Sequence, residues 1–454
     1  MARSARLGTR LQAHWARAMV SLEAQVPACS LAAFRIAYGA VMLFALLRFA
    51  SNGWIHDLYV APRFHFHYFG FGWVRPLPAP WIYLHFLLLG VAALAVMLGA
   101  FYRVAIAAFT VLFAWMELLD AATYLNHYYA ITLLGILLCF MPAERCCSLD
   151  AWWARRRGTP LPSTVSFWTI AMLRFQVGVV YVFAGVAKLN ADWLLHAEPL
   201  HTWLVARSDL PLVGRILEHP MIPTVMGWSG AFFDLSIAFL LLAPRTRVPA
   251  YLSVVFFHLL TGWLFPTIGI FPWVMIVLTP IFFAPDWPVP LVGRLRRREF
   301  DCPPEQKGPP LSSTQLALMG GWMLIQCIVP MRHLAYPGDV LWTQEGARWS
   351  WRVMLAERAA VSEIRVIDDE GNPQTIDPAD YLSPLQIRMM AAEPDLLIQF
   401  AHFLRDEAAA RGEHVEVHAE VWAAVNGRPS ARLVDPAIDL AAEEESILGH
   451  SWLR

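Results

Sequence analysis

Nine stretches of the chain are apolar for long enough to cross a bilayer, which takes roughly 17–25 residues. They are 30–50, 81–100, 104–122, 127–143, 166–188, 222–243, 249–265, 268–285 and 312–331. The fourth and seventh are short, and only Pro266 and its neighbours divide the seventh from the eighth. From about residue 345 the pattern changes. Glu363–Asp368 alternates, Asp369-Glu370-Gly371-Asn372 supplies turn chemistry and Gln374–Ile376 extends again, which predicts a hairpin. Residues 384–410 predict helix, bent at Pro394 and ending before Gly412. Val415, Val417, Ala419 and Val421 then alternate with Glu416, His418, Glu420 and Trp422. Asn426-Gly427 is a hairpin turn signal, and Arg432–Asp435 returns. The pattern predicts a polytopic α-helical membrane protein, with about nine transmembrane helices and a C-terminal extramembrane α+β domain. Its parts are an N-terminal arm (1–29), a transmembrane helical domain (30–331) and an extracytoplasmic domain (332–454).

Charge orients the spans. With the N-terminus inside, the inner loops hold Arg103; Arg145 and Arg155–Arg157; Arg245 and Arg247; and Arg294, Arg296–Arg298 and Lys307. The short outer loops 123–126 and 266–267 hold no Lys or Arg, and the longer outer loops hold few. Basic residues favour the cytoplasmic side, so the C-terminal domain is expected outside. The chain is 57% hydrophobic and only 16% charged, against about 45–50% and about 25% in soluble domains. A net charge of -1 excludes a strongly basic nucleic-acid binder. Residues 1–25 carry Arg3, Arg6, Arg10 and Arg17 without an apolar h-region, which predicts a basic cytoplasmic arm or surface helix. Cys29, Cys146, Cys147 and Cys302 fall in or beside inner segments and Cys139 and Cys327 within spans, so no disulfide is expected; adjacent Cys146-Cys147 is no metal spacing.

Ionisable groups at membrane depth are costly, and they pair or function. Arg35, Glu117, Arg174 and Asp234 are read first as packing ion pairs, for instance Arg174 with Asp234. Asp120, Asn126 and His127 lie at the outer ends of spans three and four, Lys188 at the outer end of span five, and His258 midway along span seven. A lysine at a helix end commonly snorkels to the interface. Desolvated instead, it favours the neutral amine, which is a base. Asn126 and His127, taken alone, would more often cap or pair than act in a site. His65 and His67 alternate with Phe64 and Phe66, a spacing that fits packing better than metal binding.

Seven stretches, in order, carry a resemblance: Ser30–Arg35, Arg75–Pro78, Asn126–Tyr128, Phe183–Trp193 (FAGVAKLNADW), Ala284–Trp287, Trp349–Met354 and Asp435–Asp439. The chain resembles the vitamin K-dependent gamma-glutamyl carboxylases and their bacterial relatives with an HTTM domain. The resemblance implies an enzyme of the bacterial inner membrane using vitamin K hydroquinone or a related reduced quinone, O2 and CO2, with no metal. In it Lys188 deprotonates the quinol, O2 converts the quinol to an epoxide, and the strong base so formed drives carboxylation of glutamate in a peptide or protein. It also implies that Asn126 and His127 hydrogen-bond the quinone oxygens, that His258, Met354 and Trp351 line the quinone, and that Trp351, Arg358 and Arg432 contact the glutamate. His333 matches a further family histidine. Ala347 and Ala356 stand where the animal enzymes place a tyrosine and a histidine. Three readings stay open: full carboxylation, quinol epoxidation without glutamate carboxylation, and a non-catalytic protein binding a lipid or solute.

Overall fold

The computed structural model describes residues 2–211, 213–290 and 308–454; the basic loop residues Arg294, Arg296–Arg298 and Lys307, and Cys302, lie outside the described residues. An N-terminal helix, α1 (Ala2–Glu23), leads through a short strand, β1 (Gln25–Pro27), into a bundle of apolar helices. These are α2 (Cys29–Ser51), α3 (Trp81–Leu98), α4 (Tyr102–Leu118), α5 (Asn126–Cys139), α6 (Phe167–Ala187), α7 (Met221–Leu242), α8 (Arg247–Leu264), α9 (Phe271–Leu278) and α10 (Ser313–Ile328). β1 pairs antiparallel with β2 (Thr164–Ser166) at the foot of α6.

Among the described residues, six helices are long and apolar enough to cross a membrane: α2, α3, α6, α7, α8 and α10 with its extension to Ala335. The other three expected spans are shorter helices, of 17, 14 and 8 residues. Apolarity continues past their ends while the α-helical ladder does not. Asp120 accepts from Ala122 N–H and starts a 3-10 turn after α4. Pro142 follows α5, and Pro280 sits in the 3-10 segment Thr279–Phe282 after α9. Proline lacks the N–H that the ladder needs.

The C-terminal domain follows the expected order. β3 (Arg358–Asp368) pairs with β4 (Pro373–Ile376) and, on its other edge, with β5 (Val415–Val425), which pairs with β6 (Ala431–Arg432). The expected bend at Pro394 is a break between α11 (Pro384–Ala392) and α12 (Pro394–Ala410). Ser383 starts α11 with a capping box closed by Gln386. Leu396, Phe400 and Leu404 of α12 join a core with Val417, Ala419 and Val421 of β5. Burying each of the Leu, Phe and Val side chains contributes about 1.5–3 kcal/mol.

This domain sits on the loops that charge counting placed on one side. Gln386 Nε2 donates to Phe64 O (2.8 Å) and to Asp120 Oδ2 (2.7 Å). Gln399 exchanges two backbone bonds with His67, which also faces Glu445 at 3.1 Å. Trp349 N donates to Tyr124 Oη at 2.8 Å.

Of the four residues expected to form packing ion pairs, three are satisfied without an opposite charge. Arg35 donates to the carbonyls of Val96, Met97, Ala143 and Cys147. Glu117 accepts from Thr132. Arg174 donates to the carbonyls of Ile281 and Phe283. The expected Arg174–Asp234 pair is therefore not formed. Gly185 sets the register: a Cβ there would lie 2.8 Å from Leu235 N, so α6 and α7 meet at this glycine. Arg174 lies eleven residues farther down α6, about 16 Å at the helical rise. That takes it beyond Asp234, toward the C-terminal end of α7, which runs antiparallel (Gly178 faces Ala238).

Candidate active site

Lys188 caps α6, its backbone N–H donating to Gly185 O, and is only 6% exposed. Its side chain does not snorkel outward. Nζ donates to Asp234 Oδ2 at 2.8 Å and to Ala184 O at 3.3 Å. The Trp193 ring lies 5.1 Å from Nζ, within cation–π range. The rest of the lysine motif fixes this geometry. Asn190 Nδ2 donates to Ala187 O, and its Oδ1 accepts from Trp193 N–H, so one amide closes α6 and opens the next turn. Trp193 Nε1 donates to Gly227 O at 2.8 Å, which locks the ring against α7.

Lys188 and Asp234 line a cavity of about 90 Å³ together with Tyr181, His258 and aromatic walls. His258, 3% exposed, faces Tyr181 Oη across 3.0 Å. A second cavity of about 520 Å³ is lined by Asn126, His127, Arg207, Ala356 and Glu357. Trp203, Phe265, Ile268, Phe271, Val353 and Met354 line both, so the two are neighbouring chambers. Phe271 stands between the imidazoles, its ring centroid 6.0 Å from that of His127 and 6.0 Å from that of His258. The larger chamber falls within the about 300–1,000 Å³ of ligand sites, which are mostly apolar with a few converging polar groups, and the one holding Lys188 is smaller.

The remaining sequence-derived residues divide. Asn126 begins α5 and accepts from Tyr124 Oη at 3.2 Å. Met354 lines both chambers. Trp351 is fully buried against Tyr129 and lines neither; its Nε1 has no hydrogen-bond partner. Trp349, Trp351 and Met354 all hold positive φ, of 64°, 54° and 52°. Bulky residues adopt this region only when their surroundings impose it, at a cost of order 1–3 kcal/mol each. The segment joining membrane and outer domain is thus strained where it forms the chamber wall.

Arg358 and Arg432 lie on opposite faces of the sheet. Arg358 shares the face of β3 that includes buried Ile364, under the helices. All three of its guanidinium nitrogens are shielded without a hydrogen-bond partner. Burial pulls the group down to about 10, with the charge of Glu393 opposing. Glu393 is already bonded to Arg348. Arg432 sits beside Trp422 on the outer face and donates to Glu420 at 2.8 Å. His333 faces Pro330 O at 3.0 Å. Ala356 forms part of the larger chamber's wall; Ala347 lines neither chamber.

Sequence reading missed two residues at the site. Asp234 was assigned to Arg174, and only the register of α6 on α7 reveals its partner. Arg207 counted as one sparse loop charge. It lines the larger chamber with its Nε shielded and unpartnered. A third link is Asp192 of the lysine motif, which accepts from Asn426 Nδ2 (2.9 Å) and Arg428 Nη2 (2.5 Å) of the outer domain.

A helical membrane domain, capped by a small α+β domain over a buried lysine, defines the class. Residues 24–287 match the HTTM domain, more than half of the chain, and residues 311–454 match the vitamin K-dependent gamma-carboxylase, lumenal domain. The chain belongs to the vitamin K-dependent gamma-carboxylase family. No solved structure matches it.

Proposed function

We propose that this protein is a vitamin K-dependent gamma-carboxylase-like membrane enzyme in which Lys188 removes a proton from a reduced quinone. The observation that carries the reading is an amine buried in an aromatic chamber, beside a carboxylate that can hold a proton. A lysine, with an ordinary pKa of about 10.4, serves as a base near neutrality only when desolvated or placed near another cation. The residues fit a quinol. Flat aromatic walls match its ring, and Lys188, His258, Asn126 and His127 offer polar atoms for its two oxygens. When bound, the quinol supplies with O2 the oxidative energy and basicity that carboxylation of glutamate requires. The chain's own residues orient the quinol, hold its proton and exclude water from the reacting oxygen.

Arg358 is the candidate anchor for a substrate carboxylate, because a shielded guanidinium without a partner is costly until an anion meets it. Basic loops inside and sparse loops outside support an N-terminus in the cytoplasm and a C-terminal domain in the periplasm of a bacterial inner membrane. The test is epoxide formation by purified protein with vitamin K hydroquinone and O2. Wild type is expected to form it and Lys188→Ala is not; equal activity defeats the assignment.

A second reading, quinol epoxidation without glutamate carboxylation, has specific support. The chamber wall carries Ala356 where the animal enzymes carry a histidine, and Arg432 is held by Glu420 away from Arg358. Labelled CO2 entering glutamate of a co-expressed peptide would reject it.

A further inference from the structure

Lys188 meets a requirement that its surroundings complicate. A base needs a lone pair, but the amine here donates to a carboxylate 2.8 Å away, in an ion pair that is only 4–6% exposed. Of the three N–H bonds of the ammonium, one points to Asp234 Oδ2 and one to Ala184 O. The third is left for the chamber. The titratable groups lining this chamber are Tyr181, Lys188, Asp234 and His258. Tyr181 and His258 are engaged with each other at 3.0 Å. Asp234 accepts from Lys188, so it is the group through which Lys188 can exchange a proton.

We propose that Asp234 is the terminal proton acceptor of the site and that Lys188 is the shuttle that reaches it. The inference rests on the quinol reading above. Nζ first passes one of its protons to Asp234 Oδ2, which leaves a neutral amine; the quinol O–H then breaks and its proton joins the amine lone pair, turned toward the chamber by rotation about Cε–Nζ. The electron pair stays on the quinol oxygen. No electron is transferred and no oxidant is consumed in this step. The site begins with an ammonium, a carboxylate and a neutral quinol, and ends with an ammonium, a neutral carboxylic acid and an anionic quinol. Its net charge is zero throughout, and the anion forms directly against a cation. In a low-dielectric chamber that matters, because an uncompensated charge there is far more expensive than a paired one. Asp234 acts through Lys188 and is a positioning residue for the reaction.

The test is infrared difference spectroscopy of the full-length protein on addition of vitamin K hydroquinone under argon. Wild type is expected to gain a carboxylic-acid C=O band. The band should shift on labelling with ¹³C-aspartate, move again in Asp234→Glu and be lost in Asp234→Asn. Under air, the acid limb of the pH–rate profile for epoxide formation should be displaced in Asp234→Asn, since that variant depends on neutral amine alone. A wild-type protein that gains no such band overturns the inference, as does an Asp234→Asn protein with the wild-type acid limb. Should Asp234→Asn fail to fold, the labelled wild type and Asp234→Glu still decide. A band without epoxide under air leaves the relay standing and defeats the oxygenation reading; epoxide without the band does the reverse.

Discussion

Asp192→Ala should loosen the outer domain from the lysine motif. Asp192 is 6% exposed and accepts from two residues around the Asn426-Gly427 turn. Asn426 is also 6% exposed, with φ of 51°, and its Oδ1 accepts from Glu357 N–H at 2.9 Å. One amide therefore ties the lysine motif to the chamber rim. Removing the carboxylate strands the buried Nδ2 donor, which costs about 1–3 kcal/mol, and loses a hydrogen bond to a charged acceptor. Arg428 is 46% exposed, so its pairing adds less than 1 kcal/mol after solvent screening. The sum is about 2–4 kcal/mol, or roughly a 30- to 700-fold shift in the local opening equilibrium at about 1.4 kcal/mol per tenfold. Hydrogen exchange in detergent reads this directly. The amides of Glu357 and Asn426 should lose protection by that factor, while amides in the middle of β5 should not change. Asp192→Asn, which keeps an acceptor for Asn426, should lose no more than tenfold. Unchanged protection at Glu357 in Asp192→Ala would refute the proposed tether.

Gly185→Ala should part α6 from α7, because the added Cβ would lie 2.8 Å from a backbone nitrogen that cannot yield like a side-chain tip; overpacking of this kind costs about 1–3 kcal/mol and should lower the detergent melting temperature. Arg358→Gln should leave the fold as stable or more stable, since it removes a shielded guanidinium without a partner. It should also weaken binding of a glutamate-containing peptide, measured by titration; a destabilised fold with unchanged binding would count against the anchor role. His65, in the first outer loop, is held down at about 4 by burial. Its folded pKa lies below the ordinary 6.5, so the unfolded chain binds the extra proton between these values. The stability it confers is complete above about pH 6.5 and is lost as pH falls toward 4, by at most about 3 kcal/mol. His65→Gln should flatten that part of the stability–pH curve.

Much of the architecture was legible because hydropathy and turn chemistry are local signals. The hairpin at 363–376, the break at Pro394 and the Asn426-Gly427 turn each follow from residues a few positions apart. Span count was less legible. Past Leu118, Cys139 and Leu278 the chain stays apolar while Asp120, Pro142 and Pro280 interrupt its hydrogen-bond ladder, and hydropathy does not register a broken ladder. The candidate site divides in the same way. Lys188, Asn126 and His127 stood out as polar groups at span ends. Asp234 was visible but wrongly paired, because pairing between helices depends on a register set here by one glycine. Arg358 and Arg432 looked equivalent in the sequence. A period-2 strand puts them on opposite faces only once β3 and β6 are known to flank β5.

The strained segment Trp349–Met354 joins the two halves of the molecule and also walls both chambers through Val353 and Met354. Occupancy and folding are therefore thermodynamically linked. A molecule that fills the chambers braces the junction, and at 100 times its dissociation constant it adds about 2.7 kcal/mol to the stability of the bound state. The melting temperature of the outer domain then becomes a reporter for a ligand held within the membrane. A panel of reduced quinones differing in ring and tail could be ranked by thermal shift alone, without turnover, and the ranking would point to the natural one.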